Sequence, residues 1–182
     1  MAPTSADPAL LGIYLNDHLA GATAGTELAK RLAGAERGHR GEAVLSRLAD
    51  EIADDRNALL TCMAALEVPV RQYKTIAAWA GEKLARLKPN GRLVSRSPLS
   101  RVEELEMLRL GVEGKAAGWR TLRARAGTDP RLDAGRLDDL IDRARRQIDE
   151  LEELRVRAVA EAFGGATEPV KPSAGGEGRA RS

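Results

Sequence analysis

Seven polar residues lie in or beside apolar helical stripes, and their types are suited to chemistry. His18 falls between Leu15 and Ala22, with Asp17 beside it. Asp55 occupies the one gap in the stripe Leu45, Leu48, Ile52, Leu59, Met63 and Leu66, three residues after Ile52 and four before Leu59. Glu51 stands one turn earlier on the same side. Glu113 and Lys115 flank the seam from Val112 to Ala116, and Glu106 precedes Glu113 by two turns. Such groups on facing helices have two uses. They can neutralise one another as a buried ion-pair network that sets helix register, since an unpaired buried charge is very costly. They can also hold a small ligand or a hard metal ion, for which Asp17, His18, Glu51, Asp55 and Glu113 are the candidates. Either use predicts that they meet near the middle of a helical bundle.

A second candidate is basic. Lys83, Arg86, Lys88, Arg92, Arg96 and Arg101 occur with no acidic residue between Glu82 and Glu103, and Trp79 lies just upstream. Cations beside an aromatic residue can bind phosphate or nucleic acid. Cations at a helix C-terminus also favour its dipole, and a charge run ordinarily marks a solvated face. Cys62 lies between Leu59 and Leu66 and reads as a small buried hydrophobe. Adjacent carboxylates such as Asp54 and Asp55 diverge by about 100° on a helix, so they form no acid–base pair by themselves. There is no phosphate-binding loop, dinucleotide fingerprint or nucleophile elbow, and the chain reads as non-catalytic.

The elements that must position these groups are helices throughout. Asp7 and Pro8 start a first helix that runs to about Gly34. A glycine-rich loop precedes a second helix, about 42–67, which Pro69 ends. A shorter helix, about 70–87, carries Tyr73, Ile76, Ala77, Ala80, Leu84 and Leu87, and the turn Lys88-Pro89-Asn90-Gly91 follows it. Ser97-Pro98 opens a long helix to about Ala126, with Ser100 and Glu103 as a capping box. A last helix, from Leu132 or Asp133 to Phe163, carries the regular stripe Leu137, Ile141, Ala144, Ile148, Leu151 and Ala158. Residues 1–9 read as a flexible leader, 10–163 as one helical domain and 164–182 as a disordered tail. Gly21, Ala22, Ala24, Gly25 and Ala29 on the first helix allow either a close helix crossing or room for a ligand between helices.

Two helical hairpins joined by a long connection, residues 68–97, resemble the ferritin-like four-helix bundle, with a shorter extra helix in the crossover. The likeness rests on helix order and length over roughly residues 8–163. It implies an all-α fold and, in an intact member, a di-iron centre with a Glu-x-x-His motif on two helices. Here the motif occurs once, at Glu36 to His39, in the glycine-rich loop. Glu51 to Asp54 and Asp139 to Asp142 stand where the motif would be, but lack the histidine. The resemblance is therefore to a degenerate member, with no cofactor expected. The alternative is an iron- or manganese-dependent protein using the residual carboxylates.

Composition agrees with a helical, globular reading. The 182 residues are 43% hydrophobic and 31% charged but only 3% aromatic, so the core must be built from leucine and alanine. One cysteine excludes an internal disulfide, and two histidines exclude a His-rich metal centre. A net charge of +2 disfavours general nucleic-acid binding. The chain shows no signal peptide and no apolar run of membrane-spanning length, which predicts a cytoplasmic protein with no membrane partner. Leucine- and alanine-rich helix faces predict a homo-oligomer, acting through protein interaction or as a small-ligand carrier.

Overall fold

A computed structural model describes residues 8–36, 38, 41–71 and 97–164. These residues form four helices and no strand: α1 (Pro8–Ala35), α2 (Glu42–Ala65), α3 (Pro98–Ala126) and α4 (Ala134–Phe163). The expected leader (except for 8–9), the shorter helix at 70–87 (except for 70–71) and the tail beyond Gly164 lie outside the described residues.

The helix ends follow local chemistry. The Asp133 side chain accepts a hydrogen bond from Arg136 N at 3.0 Å, which satisfies a free backbone donor at the start of α4. Gly164 closes that helix with φ 70°, a left-handed conformation suited to glycine. α2 stops two residues short of expectation. Glu67 turns left-handed at φ 58°, and Pro69 disfavours helical backbone at the residue before it. α3 starts where Ser97-Pro98 predicts. Ser97 is the extended N-cap, Pro98 begins the helix, and Ser100 N donates to Ser97 O at 3.0 Å.

Cross-helix contacts give the directions. Arg56 meets Thr23 and Asn16 meets Pro69, so α1 and α2 are antiparallel. Arg123 with Asp138 and Arg109 with Glu152 make α3 and α4 antiparallel. Tyr14 with Thr121 and Arg31 with Glu104 make α1 and α3 antiparallel neighbours. Arg47 with Glu150 and Arg143 with Asp55 do the same for α2 and α4. It follows that α2 and α3 are diagonal and parallel, and residues 66–97 connect opposite ends of the bundle.

One apolar core runs through all four helices. Leu15, Leu32, Leu45, Leu48, Leu105, Leu108, Leu122, Leu137 and Leu151 are essentially inaccessible. Their 3–4-residue spacing is what buries one face of each helix, and that burial is what holds short-looped helices together. The inward stripe of α4 differs from expectation at one position: Gln147 is 1% exposed, whereas Ile148 is only half-buried. No helix among the described residues is long and apolar enough to cross a membrane.

Candidate functional site

Two features occupy the middle of the bundle, and they share a wall. The first is polar. Asp55 of α2 is 1% exposed and receives two cations. Lys115 Nζ crosses the core from α3 to Asp55 Oδ2 at 2.5 Å, and Arg143 Nη1 of α4 reaches Asp55 Oδ1 at 3.1 Å. Gln147 joins them: its Oε1 accepts from Lys115 Nζ at 2.5 Å, and its Nε2 donates to Glu51 Oε2 at 2.9 Å and Asp55 Oδ2 at 3.3 Å. Arg47 closes the network at the surface, bridging Glu51 at 3.1 Å and Glu150 at 2.6 Å.

Charges in this network balance: Asp55, Glu51 and Glu150 against Lys115, Arg143 and Arg47. Burial pushes the Lys115 ammonium below its ordinary range, and the neighbouring Asp55 charge opposes that shift. Burial pushes the Glu51 carboxyl up, but hydrogen bonds from Gln147 and Arg47, with the charges of Arg47 and Arg143, outweigh it and hold the group below its usual range.

The second feature is an apolar cavity of about 660 Å³ between α1 and α3, backed by Ile52, Asp55 and Leu59 of α2. Tyr14 Oη and Thr121 Oγ1, 3.1 Å apart, tie the two helices near one end, and Arg31 and Glu104, 3.3 Å apart, tie them beyond the other. This register sets Gly21 level with Gly114, and Gly25 level with Gly111. Gly21, Gly111 and Gly114 are exposed and Gly25 is half-buried, and a methyl group added at any of the four would meet no atom of a neighbouring helix within 4 Å. The first helix's glycines are therefore not explained by a tight crossing, one of the two uses expected for them. Gly118 is different. A Cβ there would stand 3.0 Å from His18 Nδ1, so this glycine accommodates the imidazole.

His18 packs edge-on against Tyr14, with ring centroids 4.4 Å apart, on the cavity wall. Burial lowers its pKa, against the raising effect of the Asp17 charge, so the ring is neutral at pH 7. Trp119, 2% exposed, also lines the cavity, and its buried Nε1 has no hydrogen-bond partner. A donor left in that state costs about 1–3 kcal/mol.

The seven residues singled out from sequence thus divide into three groups. Glu51, Asp55 and Lys115 meet in the polar network. Asp17 and His18 line the cavity beside Asp55 and Lys115. Glu113 and Glu106 join neither: Glu113 lies 3.8 Å from Arg109 on its own helix, and Glu106 lies 3.5 Å from Arg155. Their side chains leave α3 away from the Lys115 face, as the 3.6-residue period requires.

The basic residues Lys83, Arg86, Lys88, Arg92 and Arg96 lie outside the described residues. Arg101 is described, and it is not part of a free basic face. It pairs with Glu161 and, at 2.9 Å, with Glu36, which is itself buried. Cys62 packs at the core edge, and burial raises its thiol pKa.

The donor set does not fit a di-metal centre. Among the described residues, no three of His, Cys, Asp and Glu gather as metal ligands. The oxygens of Asp55 and Glu51 are instead met by Lys115, Arg143, Arg47 and Gln147, which are cations and amide donors of the chain itself. A second recess of about 440 Å³ between α2 and α4 is lined by Asp54, Asp139, Arg136 and Arg143, an even balance that selects no ion.

Gln147, Arg143 and Arg47 were not singled out from the sequence. Gln147 carried a usable signal, three residues after Ala144 and four before Leu151, but the neighbouring Ile148 fits the same stripe. Comparisons with protein-family models, curated proteins and solved structures give no match to this chain.

Proposed function

We propose that this protein is a non-catalytic helical bundle that binds one small apolar molecule in the cavity between α1 and α3. The observation that carries this reading is the apolar cavity itself, walled by Leu15, Leu28, Ile52, Leu59, Leu108 and Val112, with Gly21, Gly25, Gly111 and Gly114 along its edge. Glycine inside a helix costs about 1 kcal/mol relative to alanine. At these four positions a methyl group would meet no neighbouring helix, so close packing does not explain them; Gly21, Gly111 and Gly114 are exposed, and the missing side chains leave the mouth of the cavity unobstructed. The cavity size and its apolar walls with a few polar groups are those of small-molecule sites. Helix order and direction, with a long link between the diagonal helices α2 and α3, support the ferritin-like reading of the bundle. The polar network serves as its fixed frame.

The test uses the full chain and a neutral apolar fluorophore, N-phenyl-1-naphthylamine. One equivalent binds the natural sequence. Gly114→Leu fills the space and abolishes the signal while leaving the helical circular dichroism unchanged. Equal binding by Gly114→Leu would overturn the assignment of the cavity as the site.

A further inference from the structure

The polar groups that meet the cavity specify the kind of molecule it takes. Asp55 and Lys115 belong both to the charge-balanced network and to the cavity wall. Lys115 has three N–H donors. Two are committed, to Asp55 Oδ2 and Gln147 Oε1, each at 2.5 Å. The third has no partner among the described residues. One turn along α3, Trp119 contributes a second donor without a partner, the buried Nε1. The acceptors on the wall, the neutral His18 imidazole and the exposed Asp17 carboxylate, are less buried than Trp119, so the deepest spare groups are donors.

Charge narrows the choice. Lys115, Arg143 and Arg47 are already matched by Asp55, Glu51 and Glu150, so an anionic headgroup would bring an uncompensated charge into an apolar space, with Asp17 also on the wall. A cationic headgroup would meet the Lys115 ammonium and the Arg143 guanidinium. A neutral oxygen acceptor meets neither penalty and gains a charge-assisted hydrogen bond.

We infer that the ligand is a neutral, largely hydrocarbon molecule bearing a carbonyl-type acceptor, bound with its hydrocarbon between the facing glycines and its oxygen on the free Lys115 N–H. This inference rests on the cavity being the binding site.

Four probes of equal chain length test it by calorimetry on the full chain: nonane, 2-nonanone, nonanoate and nonylamine. The ketone binds about tenfold more tightly than the alkane, as one net hydrogen bond to a charged donor provides. Nonanoate and nonylamine bind more weakly than the ketone. Lys115→Met abolishes the ketone's advantage over nonane, so that the two bind equally to the variant. Because that variant leaves Asp55 with Arg143 as its one cation, Lys115→Met combined with Asp55→Leu repeats the measurement with the Lys115 and Asp55 charges both removed, and gives the same result. Equal binding of ketone and alkane to the natural sequence, or tightest binding by nonanoate or nonylamine, overturns the headgroup assignment and leaves the cavity reading intact. Failure of all four probes overturns the cavity reading itself.

Discussion

The two sides of the α3 helix are built in opposite ways. Toward α2 and α4, Lys115 enters a network in which Asp55, Gln147, Glu51 and Arg143 hold one another at 2.5–3.3 Å. Toward α1, the same helix presents Gly111 and Gly114 to an open cavity. A buried charge tolerates no vacancy around it, so the polar side is filled by partners from three helices. An apolar wall needs no partner for each atom, so it can stay open at the cost of lost dispersion contacts and helix propensity. The bundle thus concentrates register and rigidity on one side and leaves space on the other.

Removing Asp55 breaks this contrast most strongly. Asp55→Ala leaves Lys115 and Arg143 facing each other in the core, and it should cost about 3–5 kcal/mol in chemical denaturation. Lys115→Met removes one cation but leaves Arg143 on Asp55, and should cost less, about 1–3 kcal/mol. On the open side the sign reverses. Gly21→Ala and Gly114→Ala should each stabilise the protein by about 0.5–1 kcal/mol, visible as a higher Tm. Gly118→Ala should not share that gain, because its Cβ meets His18 at 3.0 Å. Equal gains at Gly118 and Gly114 would remove the distinction between packed and open glycines.

The smallest expected effect is a pH dependence. The Glu51 carboxyl is held below its ordinary value of 4.5 in the folded state. Its stabilisation is therefore complete above pH 4.5 and is lost as pH falls through the lowered value. Glu51→Gln should flatten that part of the acid-unfolding profile. A profile unchanged by the substitution would show that Gln147 and Arg47 do not stabilise the carboxylate.

Much of the bundle is legible in the residues. Pro8, Pro98, Asp133 and Gly164 mark helix ends through backbone chemistry that acts within a few residues. Asp55 is legible as the single polar residue in an otherwise regular stripe. Gln147 is not, because positions 147 and 148 both extend the stripe of α4, and about 100° of helix rotation decides which one turns inward. Arg143 and Arg47 are hidden for another reason: long cations reach the network from the rim, and their positions carry no periodic signal. Glu106 and Glu113 show the converse, since polar spacing along one helix does not specify which neighbour a side chain meets.

What the sequence determined by itself was local: four long helices, their apolar faces, a core of leucine and alanine in place of aromatics, and Asp55 as a charge that must find a partner. Tertiary structure alone decided what surrounds the glycines. A glycine in a helix permits a close neighbour and permits an empty space equally well, because the residue only withholds a side chain. The packing of α1 against α3 makes Gly118 a seat for His18 and leaves Gly21, Gly25, Gly111 and Gly114 along the open edge of a cavity.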